Sequence, residues 1–464
     1  INSFLNEDGA INLTRMYAGS SICTPSRASL LTGCIPDGTG LYQVGPNLSN
    51  ELLTEEYTIG EMLKSEGYTT GIYGKWHLSQ SFAFGFDLEK YGFDVGVNAT
   101  GIVDNQVSSA EWYWKTHVRD FLEEVKDTSF FLYWAPVEPH FLQTGTAEFT
   151  DPMIGGVDSF RNRYDGIHYP DNLLPEHYGY SQFPATPDQF KFYGACVSEM
   201  DWAFGQMVQW LKDNGLFENT IILFSSDNGG AKCAECIPTN YTKDNLLSGN
   251  KSFLYEGGIR VPGLIRWNNG GWTNRSIDLP ISFYDIVPTI ASVLGHDDPK
   301  IRQLHGENIN EILKGNSNSR NRELFFQLGV GATRLQNPLS ADQPPEGGVW
   351  PNGNRNVTFR NHVAILSPDG TKKIIAGYNK YPGNQDDPFD WRVRESIDPN
   401  SFQYYRMNES DAHPQNENLN VYDLVTGAER IEFKALEAKL IAIAHYIRHT
   451  MPYRDWNNKE GNLD

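Results

Sequence analysis

Nowhere does the chain carry the ~20 consecutive apolar residues of a membrane-spanning helix. Positive charge is scarce: 38 Lys and Arg against 58 Asp and Glu leave a net charge of −20. That balance argues against a nucleic-acid partner, which requires a basic face. An anionic small molecule must therefore be drawn in by a local cluster of cations. Internal repeats and low-complexity blocks are lacking, so a solenoid or a disordered tail is not expected. A leader segment is also lacking, since Ile1-Asn2-Ser3 reads as folded sequence, and processing or cutting upstream of Ile1 is expected. Cysteine is sparse, five in 464 residues. Cys233 and Cys236 form a CxxC without the βαβ setting of a redox motif or the second pair of a zinc site. A structural disulfide is the expected use; with Cys23 set aside, three pairings of the other four cysteines stay open.

What is present is an ordinary globular composition, 39% hydrophobic and 21% charged, in a chain longer than one core of ~250–300 residues accommodates. Eight Asn-x-Ser/Thr sequons, beginning at Asn12 and Asn47, suit a secreted or lysosomal glycoprotein. Apolar strands follow amphipathic helices at short intervals: helix Ile59–Ser65 with Gly67 as its stop, then strand Thr69–Tyr73. The run Trp114–Val125 precedes strand Ser129–Ala135, and helix Cys196–Asn214 precedes strand Thr220–Ser225. In that last helix Met200, Phe204, Met207, Val208 and Leu211 share one face. Helix, turn and strand in repetition predict an α/β fold with a mostly parallel central sheet flanked by helices. Residues 335–360, rich in Pro, Gly and Asn, read as a surface loop. Beyond it, strands His362–Ser367 and Lys372–Ala376 about the turn Pro368–Thr371, a strand at Val421–Leu424 and a helix at Lys434–Ile447 predict a small antiparallel sheet with one packing helix. The expected units are 1–334 and 335–464.

The segment most charged with chemistry is Cys23-Thr24-Pro25-Ser26-Arg27-Ala28-Ser29-Leu30-Leu31-Thr32-Gly33. It closely resembles the signature of the type I sulfatases, the arylsulfatase and N-acetylgalactosamine-sulfatase branch in general layout. There the cysteine of Cys-x-Pro-x-Arg is oxidised to formylglycine by a dedicated generating enzyme. Further matches follow in family order. Gly74-Lys75-Trp76-His77 resembles the motif that supplies a lysine and a histidine near the nucleophile. His140 after Glu138-Pro139 matches the leaving-group histidine, and Ser226-Asp227-Asn228-Gly229-Gly230 resembles the turn whose Asp and Asn hold calcium. Lys251, ahead of Glu256-Gly257-Gly258-Ile259-Arg260-Val261-Pro262, matches a site lysine, and Ser282–Thr289 and Val421–Leu424 look like further landmarks. The resemblance implies an alkaline-phosphatase-like sulfatase fold and a sulfuric ester hydrolase acting on an aryl sulfate or a sulfated carbohydrate.

The residue types suit that chemistry on their own terms. Hydrolysis of a sulfate ester builds negative charge on the departing oxygen, and preorganised cations such as Arg27, Lys75 and Lys251 stabilise it. His140 is suited to protonate that oxygen. By resemblance, a hydrated aldehyde at residue 23 supplies one hydroxyl that attacks sulfur and a second that drives release of sulfate. Asp227 and Asn228 offer the hard oxygens calcium prefers. Each residue also has an ordinary reading: Cys23 as a buried thiol, Lys75 on the surface before a buried Trp76, His77 in a core, His140 shaping a turn, Asp227–Gly230 a sharp turn.

The family's strand with two adjacent aspartates, which completes the calcium site, has no counterpart in the sequence; Ile1–Gly9 matches the helix after it. Weak calcium binding and a gap near the centre of the sheet are the expected consequences. The alternatives to a sulfatase are a non-catalytic sulfatase-like secreted glycoprotein and a phosphatase or phosphonate hydrolase of the same superfamily. Substrate choice is expected to reside in loops such as Gln143–Gln182 and Leu335–Val357.

Overall fold

The computed structural model describes residues 1–41, 51–79, 88–98, 102–103, 106–107, 109–140, 160, 162–165, 187–230, 247, 251–297, 305–328, 362–377, 397, 402–407, 422 and 424–450. Cys233, Cys236 and nearly all of the two substrate-choice loops lie outside them.

Local sequence signals set the elements that carry the site. Helix Ile59–Ser65 opens on a capping box: Glu61 N–H donates to Thr58 Oγ1 at 3.1 Å and Thr58 N–H to Glu61 Oε2 at 2.9 Å. The chain then enters strand Thr69–Gly74, which runs parallel to Val95–Asn98 on one side and Phe130–Ala135 on the other. The helix Cys23–Thr32 ends at Gly33 in the left-handed conformation, as its Leu-Thr-Gly close predicts. Helix Pro187–Asp213 is longer than the expected 196–214, and its Met200, Phe204, Met207, Val208 and Leu211 do face one core. The Trp114–Val125 run splits into a π-helical turn at Trp114–Val118 and an α-helix at Arg119–Val125.

The strands of the larger unit fall into separate sheets. Arg275–Ile277, Ala10–Leu13, Gly263–Arg266 and Ile222–Ser225 form a second four-stranded sheet in that order. Gly263–Arg266 is antiparallel to both neighbours, a departure from parallel order that periodicity could not show. Among the described residues Phe130–Ala135 pairs only with Thr69–Gly74, and Ile222–Ser225 only with Gly263–Arg266. Phe130, Leu132, Trp134 and Phe224 pack against one core, yet each stays partly exposed. Among the described residues the apolar strands Phe130–Ala135 and Ile222–Ser225 are therefore each the edge of their sheet.

The C-terminal sheet is an antiparallel meander of Leu324–Leu328, His362–Leu366, Lys372–Gly377 and Gln403–Arg406. Helix Gly427–Thr450 covers it through Phe433, Leu436 and Leu440. Its first strand precedes residue 335, and neither that strand nor Gln403–Arg406 was expected, because LFFQL and QYYR lack alternation. Tyr422 and Leu424 lie in turns, not in the strand expected over 421–424. The core of this sheet extends into the larger unit, taking in Tyr17, Ile22, Leu254 and Ile259.

Candidate active site

Cys23 is the first residue of its helix and is buried. Strand Thr69–Gly74 delivers Lys75 to it, with Lys75 N–H donating to Ala135 O at 2.7 Å and the Lys75 ammonium donating to Cys23 Sγ at 3.3 Å. Burial pushes the Cys23 thiol up, but Lys75, Lys251 and hydrogen bonds with His140 and His77 outweigh it, leaving its pKa well below the ordinary value. Burial lowers the pKa of Lys75, an effect that negative charge at Cys23 and Asp227 opposes and that Arg27 and Lys251 reinforce. Burial likewise lowers His77, which favours a neutral imidazole.

Arg27 leaves the same helix one turn later. Its Nε and Nη2 meet Asp227 Oδ2 at 2.8 and 2.7 Å, and its Nη1 donates to Lys75 O at 2.6 Å and Tyr133 Oη at 3.3 Å. Burial alone would lower the Arg27 pKa, yet Asp227 and Tyr133 raise it, so the guanidinium keeps its charge. This one side chain ties together the ends of strands Phe130–Ala135 and Ile222–Ser225. On the far side Lys251 Nζ lies 3.2 Å from His140 Nε2, and Lys251 N–H donates to Gly230 O at 2.8 Å. Thr24 Oγ1 donates to His77 O at 3.1 Å. Positive φ is rare outside glycine, and among the described residues the non-glycine cases are His77 (φ 59°) and Ser252 (φ 75°). Both border the cluster, where strained backbone is characteristically concentrated.

All eight residues singled out in the sequence thus fall in one connected region: Cys23, Arg27, Lys75, His77, His140, Lys251, Asp227 and Asn228. Thr24 and Tyr133 were missed. Tyr133 carried one signal, a polar tip in the apolar run SFFLYWA. Among the described residues no group of three or more His, Cys, Asp or Glu converges as a metal site. Two oxygens nevertheless suit a hard cation. Asn228 Oδ1 is buried without a hydrogen-bond partner, and Arg27 meets only one oxygen of the neighbouring Asp227. That is fewer than the ~6–8 oxygens calcium takes, so the fit is partial.

A family model described as Sulfatase matches residues 2–296, more than half of the chain. The chain belongs to the sulfatase family. Steryl-sulfatase of Rattus norvegicus is 28% identical over 389 residues, covering 68% of this chain and 66% of that protein. Arylsulfatase A of Homo sapiens is 27% identical over 361 residues, covering 68% of this chain and 63% of that protein. This sulfatase-family chain therefore spans about two thirds of the length of those relatives. The solved structure of BT4656 in complex with its substrate D-glucosamine-2-N,6-O-disulfate superposes with a TM-score of 0.63 at 15% identity, covering 99% of this chain and 94% of that one. At that identity the likeness establishes the fold, an alkaline-phosphatase-like α/β sulfatase architecture.

Proposed function

We propose that the chain hydrolyses sulfate esters, aryl sulfates or sulfated carbohydrates, at residue 23. The observation that carries this reading is the Lys75 ammonium 3.3 Å from Cys23 Sγ, within a cluster that also holds Lys251, His140 and Arg27. Formylglycine at this position, made by the generating enzyme, would supply the hydroxyl nucleophile, and the cationic surroundings that depress the Cys23 thiol suit an anionic oxygen there equally well.

The other steps belong to the chain's own side chains. Lys75, which is buried, and Lys251, which is half-buried, neutralise the sulfuryl oxygens, each worth a few kcal/mol in the transition state. His140, held beside Lys251, gives its proton to the departing oxygen. His77, kept neutral by burial, takes the proton released at residue 23. Arg27 spans Asp227 and the Lys75 carbonyl and fixes the lysine's approach. Asp227 and Asn228 are the calcium ligands of this reading, and the ion would strengthen the local positive field.

No helix among the described residues is long and apolar enough to cross a membrane. We assign the chain to the secretory pathway, as a secreted or lysosomal glycoprotein. Peptide mass spectrometry across residue 23, with 4-nitrophenyl sulfate and 4-nitrophenyl phosphate as paired substrates, tests the proposal. Formylglycine and a sulfate rate at least ~10²-fold above the phosphate rate are expected, the size of one good transition-state contact. Unmodified Cys23 in an inactive secreted protein would return the non-catalytic alternative. A faster phosphate rate would make the chain a phosphohydrolase.

A further inference from the structure

Lys251 opens a short segment that is held first by the larger unit, Lys251 N–H donating to Gly230 O at 2.8 Å and Ser252 N–H to Ser21 O at 2.9 Å, and further along by the C-terminal sheet. Two residues on from Ser252, Leu254 is buried in that sheet's core. Tyr255 Oη donates to Gln403 Oε1 at 2.8 Å, on the edge strand Gln403–Arg406, and its ring meets Tyr405 edge-on at 6.1 Å. Glu256 comes next, fully buried. Its Oε1 accepts from Lys373 Nζ at 3.0 Å and its Oε2 from Tyr17 Oη at 2.9 Å, with Arg260 Nη1 at 3.6 Å. Lys373 is itself fully buried on strand Lys372–Gly377. The turn that begins this strand is held separately, by Arg15 Nη2 donating to Gly370 O at 2.7 Å.

A buried ion pair contributes little to stability beyond what a hydrophobic pair would, because desolvation offsets the attraction. Its distinct contribution is directional, since it fixes one register between the pieces it joins. Here the pieces are the C-terminal sheet and the backbone five residues from a site lysine.

We propose that Lys373 and Gln403 are positioning residues for the site: through Glu256 and Tyr255 the C-terminal sheet helps to hold the Lys251 ammonium beside His140 at the Cys23 site. The inference relies on the proposed function only for the importance of Lys251, and it can be tested without turnover. The readout is the pH midpoint of iodoacetamide alkylation at Cys23, followed by peptide mass spectrometry on the full chain with Cys23 unconverted. Lys251→Met sets the scale, with an upward shift of roughly 1 unit, or ~10-fold less thiolate at any pH below the midpoint. Lys373→Met and Tyr255→Phe should shift the midpoint in the same direction, and Lys373→Arg should restore it. Should Lys373→Met fail to fold, the pair Lys373→Met/Glu256→Gln removes both charges together and carries the same expectation. A folded Lys373→Met, or that double variant, with the unaltered midpoint would overturn the proposal. So would an unaltered midpoint in Lys251→Met. Failure to hydrolyse any sulfate ester would sink the proposed function and leave this test intact.

Discussion

Glu138 sits two residues before His140 with its carboxyl fully enclosed, Oε1 accepting from Ala110 N–H at 2.6 Å and Oε2 buried without a partner. Burial first, and the neighbouring Glu199 second, raise its pKa well above the ordinary 4.5. A raised carboxyl binds more protons in the native chain than in the unfolded one. Stability from this group is therefore full below the ordinary carboxyl range and declines as pH climbs toward the raised value. Glu138→Gln keeps the oxygen that faces Ala110 and abolishes the titration. The expected outcome is a Tm that falls less steeply than in the unaltered protein from about pH 5 to about pH 7. Equal slopes in the two proteins would show that Glu138 is ionised throughout. At this scale the sequence was informative wherever a reactive residue lay inside a short motif, as with Cys23, Lys75 and His77. It did not reveal the partners of Thr24 and Tyr133, because their roles exist only through contacts across 53 and 106 residues of chain. Glu138 was in plain view beside His140, but nothing local announces that Glu199 will be packed against it.

Strand Thr69–Gly74 ends at a glycine for a steric reason. Gly74 has φ 104°, and a Cβ there would lie 1.9 Å from Ala135 O, the same carbonyl that accepts the Lys75 N–H. The strand end can close on its neighbour only without a side chain, and that closure aims Lys75 at Cys23. Gly74→Ala should therefore cost about 1–3 kcal/mol of stability and should lower kcat more than it raises KM, measured on an aryl sulfate. An unchanged kcat in a folded protein would mean that Lys75 finds its place without this closure. Elements whose signals are local were legible: the helix Ile59–Ser65, the glycine stop at Gly33 and the Pro368–Thr371 turn all stand where the sequence put them. Strand order was not. That Gly263–Arg266 runs antiparallel between Ala10–Leu13 and Ile222–Ser225 depends on pairings more than 200 residues apart in one case, which periodicity does not encode. The link from Lys373 to Glu256, 117 residues apart, was hidden for the same reason.

For the molecule as a whole, the net charge of −20 and the cations gathered at Cys23 pull an anionic substrate in opposite directions. The two forces differ in reach. Repulsion from the acidic surface is long-ranged, multiplies with each additional sulfate, and is screened once the Debye length shrinks to about 8–10 Å. Attraction by Lys75 and Lys251 acts at contact, Lys75 being buried and Lys251 half-buried, where salt screens it less. Raising ionic strength from about 0.01 M to about 0.15 M should consequently favour a highly charged substrate over a lightly charged one. The measurement is kcat/KM for a multiply sulfated oligosaccharide divided by kcat/KM for 4-nitrophenyl sulfate, across that salt range. The ratio should rise severalfold, chiefly because the charged oligosaccharide associates faster once repulsion fades. A falling ratio would place a basic surface along the oligosaccharide's path outside the pocket, since only extended cationic contacts lose that much affinity to salt.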